Sequence, residues 1–331
     1  MKEGFISTLQ SYSTKDGPGI RTTVFCIGCN LRCAWCANPE LMLPGEKYMY
    51  FKQRCIRCGS CIKHCHGEIS MAENGCVINR ANIDMDTLRQ CEDVCPKSAY
   101  EKVGTRITSA ALAQKLLRDK EFYTVSGGGV TFSGGEAGLQ ADFVYETAKL
   151  LRKEGVPVTL DTAGLIKWDI LSHLLEEIDL VLYDIKSIDE QIHKKCTGVS
   201  NQLILDNAKK IADIPKPMWI RMVLVPDWND DLDDIKKRFE FIKSLGPAVK
   251  RVDVLKYHTL GEGKYYSLGM EYPIAPGTVC SDEFIDKVSE IADMVGVPIN
   301  IENLLLIHFA IPKEGFSKAY TTLKTLLFNY C

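Results

Sequence analysis

From residue 109 onward, apolar positions switch between a helical and a strand-like pattern. Ser109 to Asp119 places Leu112, Leu116 and Leu117 on one side and predicts an amphipathic helix. Val130 to Phe132 reads as a short strand, closed by the turn Ser133-Gly134-Gly135-Glu136. The alternation continues with a helix over Ala141 to Lys153, a strand over Val156 to Asp161 and a helix over Asp169 to Glu177. A strand over Leu180 to Asp184, a helix over Asn207 to Ala212 and a strand over Trp219 to Val225 follow. A helix over Asp231 to Leu245, a strand over Val252 to Leu255 and a helix over Asp282 to Val295 complete it. Near the start, Gly17-Pro18-Gly19 makes a tight turn, and Thr22 to Phe25 is a β-branched and aromatic run suited to a buried strand. About six strands alternating with helices predict an α/β fold, with most polar motifs at strand C-terminal ends, where barrel sites are built. The expected architecture is a partial (β/α)6 TIM-type barrel, open at the side and interrupted by one inserted domain.

The barrel is assigned to residues 1–46 and 104–300. The composition changes over residues 47–103, which form the insert, and residues 301–331 form an apolar tail of unassigned role. That tail contains Leu304 to Phe309, in which His308 reads as a packed residue.

Composition narrows the function. A hydrophobic content of 46% supports a real core, and a net charge of −3 gives no footprint for nucleic acid or an acidic membrane. No apolar run is long enough for a membrane span, and Met1-Lys2-Glu3-Gly4 leads into a strand-like segment without a signal-peptide pattern. Most of the 14 cysteines lie between Cys26 and Cys95, which suggests metal binding in a reducing, anaerobic cytoplasm rather than disulfides.

The central stretch is Cys29-Asn30-Leu31-Arg32-Cys33-Ala34-Trp35-Cys36. Its C-x3-C-x2-C spacing brings three thiolates to one loop, one fewer than a closed four-iron cluster uses. An iron without a protein ligand is an open site at which a small molecule can bind. On spacing alone, a zinc knuckle or buried structural cysteines remain possible. Cys26 falls outside the spacing and reads as core packing.

In the insert, Cys55-x2-Cys58-x2-Cys61-x3-Cys65 is a bacterial ferredoxin run, and Cys91-x3-Cys95-Pro96 is the tail of a second. The fourth cysteine of each run ligates the other cluster in two-cluster ferredoxins. One cluster is therefore expected on Cys55, Cys58, Cys61 and Cys95. The other is expected on Cys65, Cys91 and Cys76 with a fourth ligand unassigned; His64, His66, Asp93 or solvent could complete it, or it could be degenerate. His66 stands where proline is usual, and the second run lacks at least one cysteine. A zinc-binding insert is the alternative.

At the strand ends, Asp161-Thr162-Ala163-Gly164 offers an acid for a ribose hydroxyl or a cation, or simply a helix N-cap. Asp184-Ile185-Lys186 pairs an acid with a base, in the mouth or as a surface ion pair. Arg221 and His258 lie in and just after two further strands.

The cysteine triad resembles that of the radical S-adenosylmethionine (SAM) enzymes. Asp16-Gly17-Pro18-Gly19-Ile20-Arg21, Gly134-Gly135-Glu136, residues 161–164, Asp184-Ile185-Lys186, Asn229-Asp230 and Tyr257-His258-x-Leu260-Gly261-x-Gly263-Lys264-Tyr265 together resemble glycyl-radical-enzyme activating enzymes, over roughly residues 3–270. The resemblance implies that Cys29, Cys33 and Cys36 hold a catalytic [4Fe–4S] cluster whose open iron chelates the methionine moiety of SAM. It further implies reductive cleavage to a 5′-deoxyadenosyl radical, which takes a hydrogen from a backbone glycine of a partner glycyl radical enzyme. By the same resemblance Gly134, Gly135 and Glu136 hold the methionine amino group, while Asp161, Lys186, Arg221 and His258 contact the nucleoside or the methionine carboxylate. Asp161, Thr162 and Asp184 would frame a monovalent cation. The insert would relay electrons from flavodoxin or ferredoxin through one or two auxiliary [4Fe–4S] clusters, as in activases of glycyl radical dehydratases, lyases and decarboxylases. Ala137-Gly138 replaces the family's proline and leucine after the Gly-Gly-Glu turn, and Lys256 replaces a proline. A radical SAM enzyme acting on a small molecule shares the triad but does not need the Asp16–Arg21 or Tyr257–Gly261 motifs. An iron–sulfur electron carrier or redox sensor leaves the barrel motifs unexplained.

Overall fold

The computed structural model describes residues 2–302. The expectations on residues 303–331, including His308, lie outside the described residues. The strands, in chain order, are β1 (Glu3–Ser13), β2 (Arg21–Cys26), β3 (Lys47–Tyr50), β4 (Ile69–Ala72), β5 (Gly75–Ile78), β6 (Tyr100–Val103) and β7 (Thr105–Thr108). They continue with β8 (Gly129–Gly134), β9 (Val158–Thr162), β10 (Leu180–Asp184), β11 (Met218–Leu224), β12 (Val249–Lys256) and β13 (Asn300–Glu302). Nine of them form one sheet in the order β13-β12-β11-β10-β9-β8-β2-β1-β7. From β2 to β13 every neighbouring pair is parallel, whereas β1 runs antiparallel to both β2 and β7. Parallel neighbours need crossovers, and helices supply them. The six strands expected from the apolar pattern are the six from β2 through β8 to β12. β13 is a further parallel strand, so residues 301–302 belong to the sheet rather than to a separate tail. An open, mostly parallel sheet with helical crossovers is consistent with a partial TIM barrel.

The helices are α1 (Met85–Val94), α2 (Ser109–Leu116), α3 (Lys120–Ser126), α4 (Ala141–Lys153), α5 (Trp168–Leu174), α6 (Glu190–Thr197) and α7 (Gln202–Asp213). Then come α8 (Leu232–Ser244), α9 (Glu262–Ser267) and α10 (Asp282–Val295). Their starts are set locally. The side chains of Thr108, Asp189, Asp231 and Ser281 cap amide groups of the first turns of α2, α6, α8 and α10, which satisfies donors that a helix start leaves unpaired.

The core lies between sheet and helices. Val24, Val130, Phe132, Leu160, Val181 and Ile220 have no solvent exposure, as expected for parallel strands covered on both faces. Cys26 is also fully buried there, in the packing role its position suggested.

The Asp16–Arg21 motif lies at the opposite end of the strands from the cysteine triad. Arg21 begins β2, and its guanidinium donates to Thr131 Oγ1 and the Val130 carbonyl, both at 2.7 Å, and to the Pro18 carbonyl at 3.2 Å. Asp16 accepts from the hydroxyls of Ser13 and Thr23, each at 2.6 Å. These residues staple the Gly-Pro-Gly turn to β8. The motif is structural.

Residues 47–103 build a smaller core from Tyr48, Tyr50, Cys61, Ile69, Leu88 and Tyr100, with two two-stranded antiparallel sheets, β3–β6 and β4–β5. Ile27 and Leu41 beside the triad pack with Met49 and Val103 at the base of this segment. Arg80 reaches across as well, donating to the Tyr48 carbonyl at 2.6 Å and to the Ser267 carbonyl at 2.8 Å. Among the described residues, no helix is long and apolar enough to cross a membrane.

Candidate active site at the strand ends

The triad follows β2 directly, on a loop whose backbone is hydrogen-bonded on several sides. Gly28 and Cys29 donate to the carbonyls of Leu41 and Met42 at 2.8 and 2.9 Å, while Arg32 and Ala34 donate to Thr197 and Cys196 at 2.8 and 2.9 Å. Asn30 adds a side-chain bond to the Leu165 carbonyl at 2.6 Å. All three thiols are half-buried. Burial pushes Cys29 up to about 11 and Cys36 up to about 12, and it raises Cys33 against the pull of Lys186. Such thiols keep their protons until a metal displaces them.

The Gly-Gly-Glu turn ends β8 next to this loop. Gly134 has φ +108°, and a Cβ on Gly135 would stand 2.2 Å from the Gly28 carbonyl oxygen. The glycines are required because two backbones touch here. Gly135 and Glu136 donate their amides to the carbonyls of Cys26 and Gly28 at 2.9 and 2.8 Å. The Glu136 carboxylate points inward, accepting from the Thr162 hydroxyl at 2.8 Å, the Ala163 amide at 3.1 Å and the Gly138 amide at 3.2 Å. It locks the end of β8 to the end of β9.

Burial raises Glu136 from 4.5 to about 7, despite those donors. Between these values the folded chain binds more protons at this site than the unfolded chain, so stability falls as pH rises through the window. Glu136→Gln removes the titration. Its urea midpoint should therefore change less than the parent's between about pH 5 and about pH 8, with the parent losing up to about 3 kcal/mol more. Equal pH slopes in the two proteins would contradict the assignment.

The register of β9, β10 and β11 brings four charged residues together. Asp184 lies beside Arg221 in the β10–β11 pairing. Arg221 bonds Asp161 and lies 3.5 Å from the Asp184 carboxylate, while Lys186 donates to Asp184 at 3.1 Å. Ser133 at the end of β8 donates to Asp161 at 2.5 Å. Burial alone would raise Asp184, but Lys186 and Arg221 outweigh it and hold this carboxyl below its usual range. For Asp161 burial wins and the shift is upward. The Thr162 hydroxyl is committed to Glu136 and accepts the Gly164 amide at 2.8 Å. His258 follows β12, half-buried, and accepts the Leu260 amide on Nδ1 at 3.3 Å, which leaves Nε2 to carry the proton of the neutral ring.

The sequence reading named Asn229 and the Tyr257–Tyr265 motif without giving Asn229, Lys264 or Tyr265 a role, and it did not name Asn38, Glu40, Asp234 or Arg238. Lys264 donates to Asn38 and Glu40, both at 2.6 Å, and a Cβ on Gly261 would stand 2.5 Å from the Cys36 carbonyl, so the Tyr257–Tyr265 motif packs on the triad loop from the other side. The Tyr265 hydroxyl is buried without a hydrogen-bond partner. Burial raises its pKa, and the charge of Cys36 and Cys33 adds to the effect. Below Lys186, Arg238 and Asp234 form a fully buried ion pair at 2.9 Å. Arg238 reaches the Lys186 and Asn229 carbonyls, and Asn229 donates to the Lys186 carbonyl at 2.9 Å.

In the insert, a small cavity is lined by Cys55, Cys58, Cys61, Cys95, Cys76 and Tyr100. Cys76 Sγ lies 3.6 Å from Cys61 Sγ, and Cys65 Sγ lies 3.9 Å from Cys91 Sγ.

Comparison with known proteins gives consistent matches. The family model of the radical SAM superfamily matches residues 95–239. The choline trimethylamine-lyase activating enzyme of Oleidesulfovibrio alaskensis is 34% identical over 315 residues, covering 91% of this chain and 98% of the relative. The trans-4-hydroxy-L-proline dehydratase activating enzyme of Clostridioides difficile is 38% identical over 271 residues, covering 81% and 88%. Among solved structures, a domain of a pyruvate-formate lyase-activating enzyme from Bacteroides vulgatus aligns with a TM-score of 0.45 and 27% identity, over 54% of this chain and 100% of that one. That likeness in shape is too slight to carry an argument. The sequence relatives are matched over nearly their full length, and the chain belongs with them to the radical SAM superfamily, among the activating enzymes of glycyl radical enzymes.

Proposed function

We propose that this chain cleaves SAM reductively and uses the radical to abstract a hydrogen from a backbone glycine of a partner glycyl radical enzyme. The observation that carries the reading is one juxtaposition: the triad loop, the Gly-Gly-Glu turn and the β9–β11 charge cluster meet at the C-terminal ends of parallel strands. The donor set fits the family's [4Fe–4S] cluster. Three half-buried thiols share one loop, and the partnerless Tyr265 hydroxyl beside Cys33 and Cys36 could donate to a thiolate. When bound, the cluster supplies the electron that breaks the sulfonium bond, giving methionine and a 5′-deoxyadenosyl radical.

The chain's own residues bind and orient. Gly134 and Gly135 let the turn close onto the triad loop, which sets its backbone beside the cysteines for the methionine amino group, and Glu136 fixes that turn from within. Lys186 and Arg221 offer positive charge to the methionine carboxylate. Asp161 and the His258 Nε2 hydrogen suit the nucleoside. Asp161, Thr162 and Asp184 are the candidate frame for a monovalent cation, which would have to share both carboxylates with Arg221 and Lys186.

Residues 47–103 are read as a ferredoxin-like insert carrying one or two auxiliary [4Fe–4S] clusters, supported by the four expected cysteines around one cavity. Flavodoxin or ferredoxin is the proposed donor, and an anaerobic cytoplasm the proposed setting. The partner is a dehydratase, lyase or decarboxylase of the kinds that the relatives' names describe.

The test is anaerobic reconstitution, reduction and addition of SAM, with 5′-deoxyadenosine quantified. Candidate partner enzymes are then scanned by EPR for a glycyl radical. Product formation followed by a partner-borne signal is expected. No product from a loaded, reduced protein would defeat the proposal.

A further inference from the structure

We infer that residues 47–103 carry one auxiliary four-iron cluster and that the second ferredoxin position has been replaced by packing; this rests on the reading of that segment as an iron–sulfur insert. A ferredoxin run places three ligands at C-x2-C-x2-C before the fourth, which precedes proline. Counting back from Cys95-Pro96, the third ligand is Cys91, and the two before it fall at Leu88 and Met85. Neither side chain is a ligand of iron–sulfur clusters. Leu88 is 4% exposed and belongs to the insert's own hydrophobic core.

The backbone agrees. A ferredoxin run wraps its cluster as a loop, but Met85–Val94 is the regular helix α1, capped by Asp84, which accepts the Thr87 amide at 2.7 Å. Helical amides are spent on the i−4 carbonyls and cannot turn toward cluster sulfides.

Cys76 does not make up the deficit. Its amide is held by the Tyr50 hydroxyl at 2.8 Å, and its sulfur lies 3.6 Å from Cys61. It lines the cavity of the first set instead. His64, His66 and Asp93, the other candidate ligands, are exposed on the surface. Cys65 and Cys91 are left with each other, 3.9 Å apart, and both lie near the Cys61 carbonyl. Two thiols cannot replace the four that a closed cluster takes.

The first position keeps its whole set. Cys55, Cys58, Cys61 and Cys95 surround the cavity. Tyr100 lines the same cavity, 2% exposed, and its hydroxyl has no hydrogen-bond partner. A cluster sulfur or thiolate there would accept a hydrogen bond from it. Tyr100 is thus a positioning residue that would favour the reduced, more negative cluster.

The full chain, purified and reconstituted anaerobically, should bind about eight irons: four at the triad and four in the insert. The C29A/C33A/C36A variant should keep about four, and adding Cys58→Ala should release them. C65S/C91S should retain about eight, with unchanged circular dichroism verifying that each variant folds. Tyr100→Phe, with iron content unchanged, should shift the midpoint of the remaining signal in the triad variant to lower potential. About eight irons in the triad variant, or loss of about four in C65S/C91S, would overturn the single-cluster inference and leave the iron–sulfur insert standing. A folded triad variant without iron would overturn the insert reading itself.

Discussion

Replacing Cys33 with alanine is expected to reduce 5′-deoxyadenosine formation by more than about 100-fold, beyond what disturbing an outer-shell partner of a metal site costs. Iron should fall by about four per chain, because two thiolates do not hold a four-iron cluster. The fold should survive, since Cys33 is half-buried at the rim of the strands and the backbone bonds of its loop do not involve its sulfur. Cys26 provides the internal control. It lies only a few residues away, yet it is fully buried in the barrel core. Cys26→Ala should keep iron and product formation and lose about 1 kcal/mol of stability, as for removal of a small buried group. The pair separates ligand from packing within one short stretch. Equal iron loss in both variants would sink the triad assignment.

The largest effect on stability is expected from Arg238→Ala, about 3–5 kcal/mol by urea unfolding. Arg238 has no side-chain exposure and Asp234 only 2%. The carboxylate also accepts the amides of Ile188 and Asp189 at 2.9 and 2.7 Å, and the Ser187 hydroxyl at 3.1 Å. Removing the guanidinium leaves a buried negative charge held by hydrogen bonds alone. The consequence reaches the mouth, because Arg238 and Asn229 both hold the Lys186 carbonyl. The KM for SAM should therefore rise in folded Arg238→Ala, while its iron content stays that of the parent. A loss of less than about 1 kcal/mol would mean that the pair is not carrying the strand-end loop.

What the sequence disclosed follows from where the signals lie. Strands β10 and β11 are mostly apolar, and such runs stand out between amphipathic helices. The glycine and acid motifs were legible because they sit where those runs stop. Helix α6, Glu-Gln-Ile-His-Lys-Lys-Cys-Thr, hides behind sparse apolar positions: Ile192, His193 and Cys196 face inward while its lysines stay wet. Helix α1 was obscured by its cysteine, which drew attention as a ligand and away from the i, i+3 pair that Leu88 makes with Cys91. β13 is three residues long, and its pattern cannot be told from a loop. The Arg238–Asp234 pair looks in sequence like any i, i+4 surface ion pair on a helix. Only its burial reveals what it does. The Lys264–Glu40 clamp joins residues 224 positions apart, and local patterns cannot report such a pairing.

The bonding of the triad loop has a consequence for the life of the protein. Its amides are already engaged by Leu41, Met42, Cys196 and Thr197, so the socket holds its shape through the polypeptide rather than through iron. Oxidative destruction of the cluster would then leave a folded, refillable apoprotein. Recovery from a brief exposure to oxygen becomes a matter of iron and sulfide delivery, with no need for new synthesis of the chain.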